Sequence, residues 1–337
     1  MSGYSKLSFV QAINAALHQA MELDDGVHVY GIGADGKSGI FGTTSGLVER
    51  FGAKRVFDTP IAEGGLTALA AGAANSGLRP VLVHQRLDFM LYSMDQIANW
   101  IAPWRFMSGG QAKMPITIRA IVGKGWGQGP QHTKSLHTWF AHLPGLQVVL
   151  PGSPAEAKGL LLSSIMSNDP TIFIEGRGLY TMEEEVPDEP YFIRLGEPLI
   201  RRRGSDVTVV TFGSMIPPTL SAANDLAQSG VSAEVIDLRC LTPLDLQPIL
   251  KSVKNTGRLV VVEPGWRMFG AGAEIIASVV ETVGQLRSRP RRVAWPQSAV
   301  PTSQKLEEEF YPAKRDVVQA CLDSIADNGA IPNLDPQ

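Results

Sequence analysis

The chain of 337 residues is 44% hydrophobic and 19% charged, enough apolar mass for a large core and too long for one ordinary small domain. A formal net charge of -3 gives no broad positive field for a nucleic-acid backbone or an anionic membrane, so small molecules and other proteins are the expected partners. The two cysteines, Cys240 and Cys321, stand far apart without metal-ligand spacing; neither a disulfide framework nor a zinc site is expected, and a reducing compartment, the cytoplasm, fits best.

The amino-terminal stretch carries acids and an amphipathic rhythm in place of a basic segment, apolar run and cleavage site, and no apolar stretch is long enough to span a bilayer. Phe9, Ala12, Ile13, Ala16 and Leu17 recur at helical spacing. The chain then passes through Asp24, Asp25 and Gly26 into the apolar strand VHVYGIG. The alternation continues with an Ala-rich helix over 66–76, the strand VLVH, a helix over 94–106, the strand ITIRAIVG, then PGLQVVLP, a helix over 155–167 and the strand TIFIEG. Strands alternating with helices predict an α/β layer with a mainly parallel sheet. Acids, prolines and a basic run interrupt the rhythm between Tyr180 and Arg203. This places a first domain at 1–185, a linker at 186–204 and a second, smaller α/β domain at 205–327, with helices over 220–229 and 246–253 between the strands VTVVTFG, SAEVIDLR and RLVVVEPG.

Gly31, Gly33 and Gly36 form GxGxxG after a strand, with Asp58 at about the distance of a ribose-binding acid. The dinucleotide mechanism requires the glycines to open a helix that receives the pyrophosphate, and here they run into KSGIFGTTSG, where no helix is expected to begin. A plain loop at a strand end is the preferred reading.

Three residues look like chemistry. Glu63, in VFDTPIAEGGLTALAAGAA, follows a turn fixed by Pro60 and precedes small residues that let a helix pack closely; a glutamate in a first helical turn also simply meets the dipole favourably. Phe89, in DFMLYSMDQIANW, suits either a core or an aromatic stacking position. His132 lies in the glycine-rich loop GKGWGQGPQHTKS, where an imidazole is either solvated or placed to meet substrate.

The strings SGLVERFGAKRVFDTPIAEGG, SMDQIANW, MSGGQ, GPQHTKS, FAHLPGLQVV, AEVIDLRCLTPLD and KNTGRLVVVEPGW occur in one order over nearly the whole chain. Together they resemble the beta chain of the thiamine-diphosphate-dependent decarboxylating component of 2-oxo acid dehydrogenase complexes, of the pyruvate, branched-chain 2-oxo acid and acetoin types, in the transketolase-like superfamily. The resemblance implies a thiamine-diphosphate-binding, transketolase pyrimidine-type parallel-sheet domain followed by a smaller transketolase C-terminal-type α/β domain. It implies that Glu63 hydrogen-bonds the cofactor's aminopyrimidine and promotes proton loss from its thiazolium carbon, that Phe89 stacks on the aminopyrimidine, and that His132 meets the substrate carboxylate or the acyl group in transit. His142 matches the family and is read as structural; His137 receives no role. The diphosphate and Mg2+ are expected mainly on a partner alpha-type chain, because ADG at 34–36 lacks the acid-and-asparagine constellation that normally follows. The implied assembly is an alpha2beta2 heterotetramer that takes a small 2-oxo acid and delivers an acyl group to a lipoyl-bearing acyltransferase core. A structural K+ near the helix over 155–167 and the turn into Asp169 is a further implication. Two positions depart from the family, Ile32 and Val83, where many members carry Glu. Those losses keep two alternatives open: a two-chain transketolase-like carboligase or acyl transferase of a biosynthetic pathway, and a non-catalytic scaffold chain.

Overall fold

The computed structural model describes residues 3–125 and 127–327. In chain order the elements are β1 (Tyr4–Ser8), α1 (Phe9–Leu23), β2 (Val27–Gly31), α2 (Leu47–Phe51), β3 (Val56–Phe57), α3 (Glu63–Asn75), β4 (Arg79–His84), α4 (Trp104–Met107), β5 (Thr117–Val122), α5 (His137–Ala141), β6 (Gln147–Val149), α6 (Pro154–Met166), β7 (Thr171–Gly176) and β8 (Glu183–Pro187). They continue with β9 (Leu199–Arg202), β10 (Val207–Thr211), α7 (Ile216–Gln228), β11 (Ala233–Asp237), β12 (Cys240–Thr242), α8 (Gln247–Thr256), β13 (Leu259–Trp266), α9 (Ala271–Val283), β14 (Arg291–Trp295), α10 (Gln304–Phe310) and α11 (Lys314–Ala326). Among the described residues no helix is long and apolar enough to cross a membrane.

The chain forms two units that interleave in sequence. The first comprises the residues up to Glu197 with Arg239–Leu244 and Ala299–Glu307; the second comprises Pro198–Leu238, Asp245–Ser298 and the residues from Glu308. In the first, a seven-stranded sheet runs β12-β6-β7-β5-β4-β2-β3, parallel except for β12 at its edge. β4 and β5 are buried along nearly their whole length, as parallel strands covered on both faces are, and β5 buries Arg119 as well as its apolar residues. On one side α1 packs against α6, burying Phe9, Ile13, Leu17 and Leu161. α1 starts cleanly because Ser8 Oγ accepts from Gln11 N at 3.2 Å while Gln11 Oε1 accepts from Ser8 N at 2.8 Å.

Connectivity locates a crevice. From β2 the chain moves outward to β3, whereas from β4 it moves the other way to β5, so the connections leaving the carboxyl ends of the paired strands β2 and β4 run in opposite directions. In open α/β sheets this switch point is where ligands sit. The second unit is a five-stranded sheet, β14-β13-β10-β11-β9, with β9 the antiparallel edge. There the basic run before Gly204 becomes a strand, and Arg201 pairs with the buried Asp237 at 3.0 Å.

One predicted element differs. The helix expected over 94–106 is a π-helical turn at Gln96–Ile101 followed by α4, with Pro103 between them. Proline offers no N–H and its ring clashes with the carbonyl one turn back, so a regular helix cannot run through it. The loop reading of the GxGxxG segment holds: residues 32–46 are turns, and Asp58 Oδ1 accepts from Gly33 N at 2.6 Å. The acid that mimics a ribose ligand therefore caps the glycine loop itself.

Candidate active site

Glu63, Phe89 and His132 all follow the carboxyl ends of parallel strands: Glu63 comes after β3, Phe89 after β4 and His132 after β5. The alternation of strand and helix puts such segments on one edge of the sheet. Glu63 is the first residue of α3, half-buried, and no protein group pairs with its carboxylate among the described residues. The next residue, Gly64, lies so close to the Phe89–Ser93 turn that a Cβ there would sit 2.9 Å from the Tyr92 carbonyl oxygen. Glycine is what allows α3 to enter against that turn. Phe89 meets His132 edge to face, with ring centroids 5.4 Å apart and planes at 86°. The structure thus brings Phe89 and His132 into contact and packs the start of α3, where Glu63 stands, against the turn that bears Phe89.

The His132 loop folds back onto its own strand end. A Cβ on Gly123 would come within 2.3 Å of the His132 carbonyl oxygen, so only glycine admits this crossing. Thr133 Oγ1 donates to Gly129 O at 2.6 Å and closes the turn around His132. Asp88 Oδ1 accepts from both Lys134 N and Lys134 Nζ at 3.2 Å, joining this loop to the Phe89 turn. Burial pushes the Asp88 carboxyl above the usual carboxylate range, and the Lys134 contacts pull the other way.

Beneath the cluster lies a buried polar group. Thr67, one turn along α3 from Glu63, donates to Ser93 Oγ at 2.9 Å and meets His84 Nε2 at 3.4 Å. His84 ends β4 and is 5% exposed; desolvation lowers its pKa to about 4, so it is neutral near pH 7. Sequence reasoning missed Asp88, Lys134, Thr67, Ser93 and His84; the available signal was adjacency, since Asp88 precedes Phe89 and Lys134 follows His132 by two. His137 is buried with Nδ1 2.9 Å from Ser135 Oγ, and His142 is exposed at the end of α5.

The two departures sit side by side. Gly31 pairs with Val83 across β2 and β4, and Ile32 follows immediately, its carbonyl accepting from Gln85 Nε2 at 2.9 Å. At the turn into Asp169, the carbonyls of Ile165 and Ser167 accept from Arg79 Nη1 at 3.2 and 2.8 Å, so a guanidinium already engages backbone oxygens there. Among the described residues no group of three or more His, Cys, Asp or Glu side chains is arranged to hold a metal ion.

Comparison with known proteins identifies this two-unit α/β chain as a transketolase-type protein. Residues 5–183 match the family model described as "Transketolase, pyrimidine binding domain", and 196–317 match "Transketolase, C-terminal domain". The chain is 42% identical over 326 residues to the Acetoin:2,6-dichlorophenolindophenol oxidoreductase subunit beta of Cupriavidus necator, covering 94% of this chain and 96% of the relative. It is 41% identical over 317 residues to the Pyruvate dehydrogenase E1 component subunit beta of Staphylococcus epidermidis, covering 94% and 97%. A solved structure titled "Split gene transketolase, inactive beta4 tetramer" superposes with a TM-score of 0.80 at 23% identity, over 96% of this chain and 99% of that one, which shows the shared fold. The chain belongs to the E1 beta-subunit family of the thiamine-diphosphate-dependent 2-oxo acid dehydrogenases.

Proposed function

We propose that the chain is the beta subunit of a two-chain enzyme that decarboxylates a small 2-oxo acid and passes the acyl group to lipoamide, with an active site completed by an alpha-type chain. The observation that supports this reading is the Phe89–His132 contact together with the packing of the start of α3, where Glu63 stands, against the Phe89–Ser93 turn. The residues suit the aminopyrimidine end of thiamine diphosphate. Glu63 offers a carboxylate that no described protein group occupies, and Phe89, 36% exposed, offers an aromatic surface on the turn against which α3 packs. Bound there, the cofactor would supply an electron sink for loss of the substrate carboxylate.

The protein's own share is positioning and proton management. Glu63, set in the first turn of α3, would accept a hydrogen bond from a ring nitrogen and hold the cofactor's proton balance. Phe89 would supply stacking area, and His132, steadied by that ring, would hydrogen-bond the substrate's oxygen atoms. The Mg2+-diphosphate end and the rest of the pocket would come from the alpha-type chain in an alpha2beta2 heterotetramer. Tyr92, Trp100 and Phe106 are exposed on this unit and would contribute apolar contact area for that partner.

Calorimetric titration of thiamine diphosphate with Mg2+ tests the reading, using this chain alone and co-expressed with its alpha-type chain. Binding by the pair, followed by 2-oxo-acid-dependent reduction of 2,6-dichlorophenolindophenol, supports it. No binding by either preparation overturns it.

A further inference from the structure

A groove of about 1060 Å³ lies wholly within the second unit, lined by every residue of β14 and walled on its other side by residues between Glu309 and Asp323. Successive side chains of a strand point to opposite faces, so a cavity that touches each residue in turn follows the strand's edge. β14 is the edge of the five-stranded sheet and pairs with β13 alone among the described residues, which leaves the backbone groups of its outer edge without a neighbouring strand. Trp295, at the end of β14, meets the rings of Phe310 and Tyr311 edge to face, with centroids 5.6 and 5.2 Å apart, and gives the groove a packed aromatic wall.

The acids of the groove are already engaged. Glu309 Oε2 accepts from Arg315 Nη2 at 2.8 Å, Asp316 Oδ2 accepts from Ala313 N at 2.7 Å, and Asp323 accepts from Arg291 at 3.3 Å and Gln319 at 2.7 Å. The cations exceed them, five arginines against three acids, in a chain whose net charge is -3. No carboxylate pairs with Arg267 or Arg292 among the described residues; Arg292 Nη1 donates to the backbone carbonyl of Arg267 at 2.9 Å. Arg291 keeps a buried Nε with no acceptor.

We propose that this groove receives an extended acidic segment of a protein partner, which adds as a strand to the outer edge of β14 and brings carboxylates to Arg267 and Arg292. Main-chain hydrogen bonds to an open sheet edge supply affinity, and alternate side chains supply selectivity. A second copy of this chain is a poor occupant. Pairing β14 with itself would bring Arg291 and Arg292 of both copies together, and like charges across paired strands are destabilising. An acidic strand meets the same guanidinium groups with opposite charge, and their planar forks match carboxylates.

Fluorescence anisotropy with the full-length chain tests the assignment. The probe is a fluorescein-labelled peptide of about six residues, a common strand length, in which glutamate alternates with threonine. The expected result is saturable binding that weakens as salt rises, slowed amide hydrogen exchange at Arg291–Trp295, and a Kd raised at least about tenfold when Arg267→Gln is combined with Arg292→Gln. Neither side chain has a carboxylate to lose, so the melting temperature of this variant should stay near that of the parent. The same peptide N-methylated at alternate residues keeps its charge but cannot complete a strand ladder, and equal affinity for it overturns strand addition. A Kd unmoved by the double variant, or exchange at β14 unchanged by the peptide, overturns the site. Tighter binding of an oligothymidylate of equal charge assigns the groove to nucleic acid and overturns the partner class. Absence of saturable peptide binding overturns the proposal outright.

Discussion

The carboxylate of Asp88 accepts from both the backbone N–H and the ammonium of Lys134, and through that pair the turn bearing Phe89 is fastened to the loop bearing His132. Asp88 is almost fully buried while Lys134 reaches solvent, so Asp88→Asn keeps the volume and removes the charge that orders the loop. The variant is expected to lose about 1 to 3 kcal/mol of stability and about ten- to a hundredfold in kcat as the two loops drift apart. Urea unfolding and steady-state kinetics on the alpha–beta complex read both quantities. A kcat within twofold of the parent, with stability reduced, would show that the pair serves the fold and not the site.

Glu63→Gln should separate chemistry from folding. Because no described protein group pairs with the carboxylate, the substitution removes only its interaction with the α3 dipole, worth about 0.3 to 1 kcal/mol. The melting temperature should barely move, whereas turnover of the complex should nearly vanish and cofactor affinity should fall. Full turnover by the variant would contradict the assigned role.

Much of this was legible before any coordinates. The strands VHVYG and RPVLVH announce themselves as apolar runs with helical rhythm on either side, and the Gly-, Ser- and Thr-rich stretch after Gly31 excludes a nucleotide-binding helix. The helix from Phe9 is written in its periodicity and in Ser8 and Gln11. What stayed hidden depends on contacts between distant positions. Asp88 and Lys134 are 46 residues apart, Thr67 and Ser93 are 26 apart, and neither pair leaves a trace in local spacing. Cys240–Thr242, embedded in the second half of the chain, joins the edge of the first sheet by pairing with β6, and three residues carry too little pattern to announce that. Pro103 was visible, yet the π-helical turn before it depends on packing that propensity does not encode.

The ion pair of Arg119 and Glu175 joins β5 to β7 beneath the site, with both side chains fully buried. Glu175→Gln would leave a buried guanidinium without its counter-charge and is expected to cost roughly 3 to 5 kcal/mol. Replacing both partners, as Arg119→Met with Glu175→Leu, removes the desolvated charges together and should cost clearly less than the single change. A double-mutant cycle by urea unfolding decides the matter. Additive losses from the two single variants would mean that the charges do not depend on each other.

His84 makes the unit's stability depend on pH in a predictable direction. Its ordinary pKa is 6.5 and burial lowers it to about 4 in the folded state, so between these values the unfolded chain binds a proton that the folded chain refuses. Stability from this residue is therefore fully present above pH 6.5, declines as pH falls toward 4, and levels off below that. The difference between 6.5 and about 4 corresponds to roughly 3 kcal/mol. His84→Gln retains a group able to hydrogen-bond Thr67 but cannot take up the proton. Urea unfolding of both proteins from pH 7 to pH 4 should show the parent losing stability relative to the variant by about that amount. Parallel profiles across the range would mean that His84 is protonated without opening the structure, and that the Thr67–Ser93 contact beneath α3 tolerates a charge.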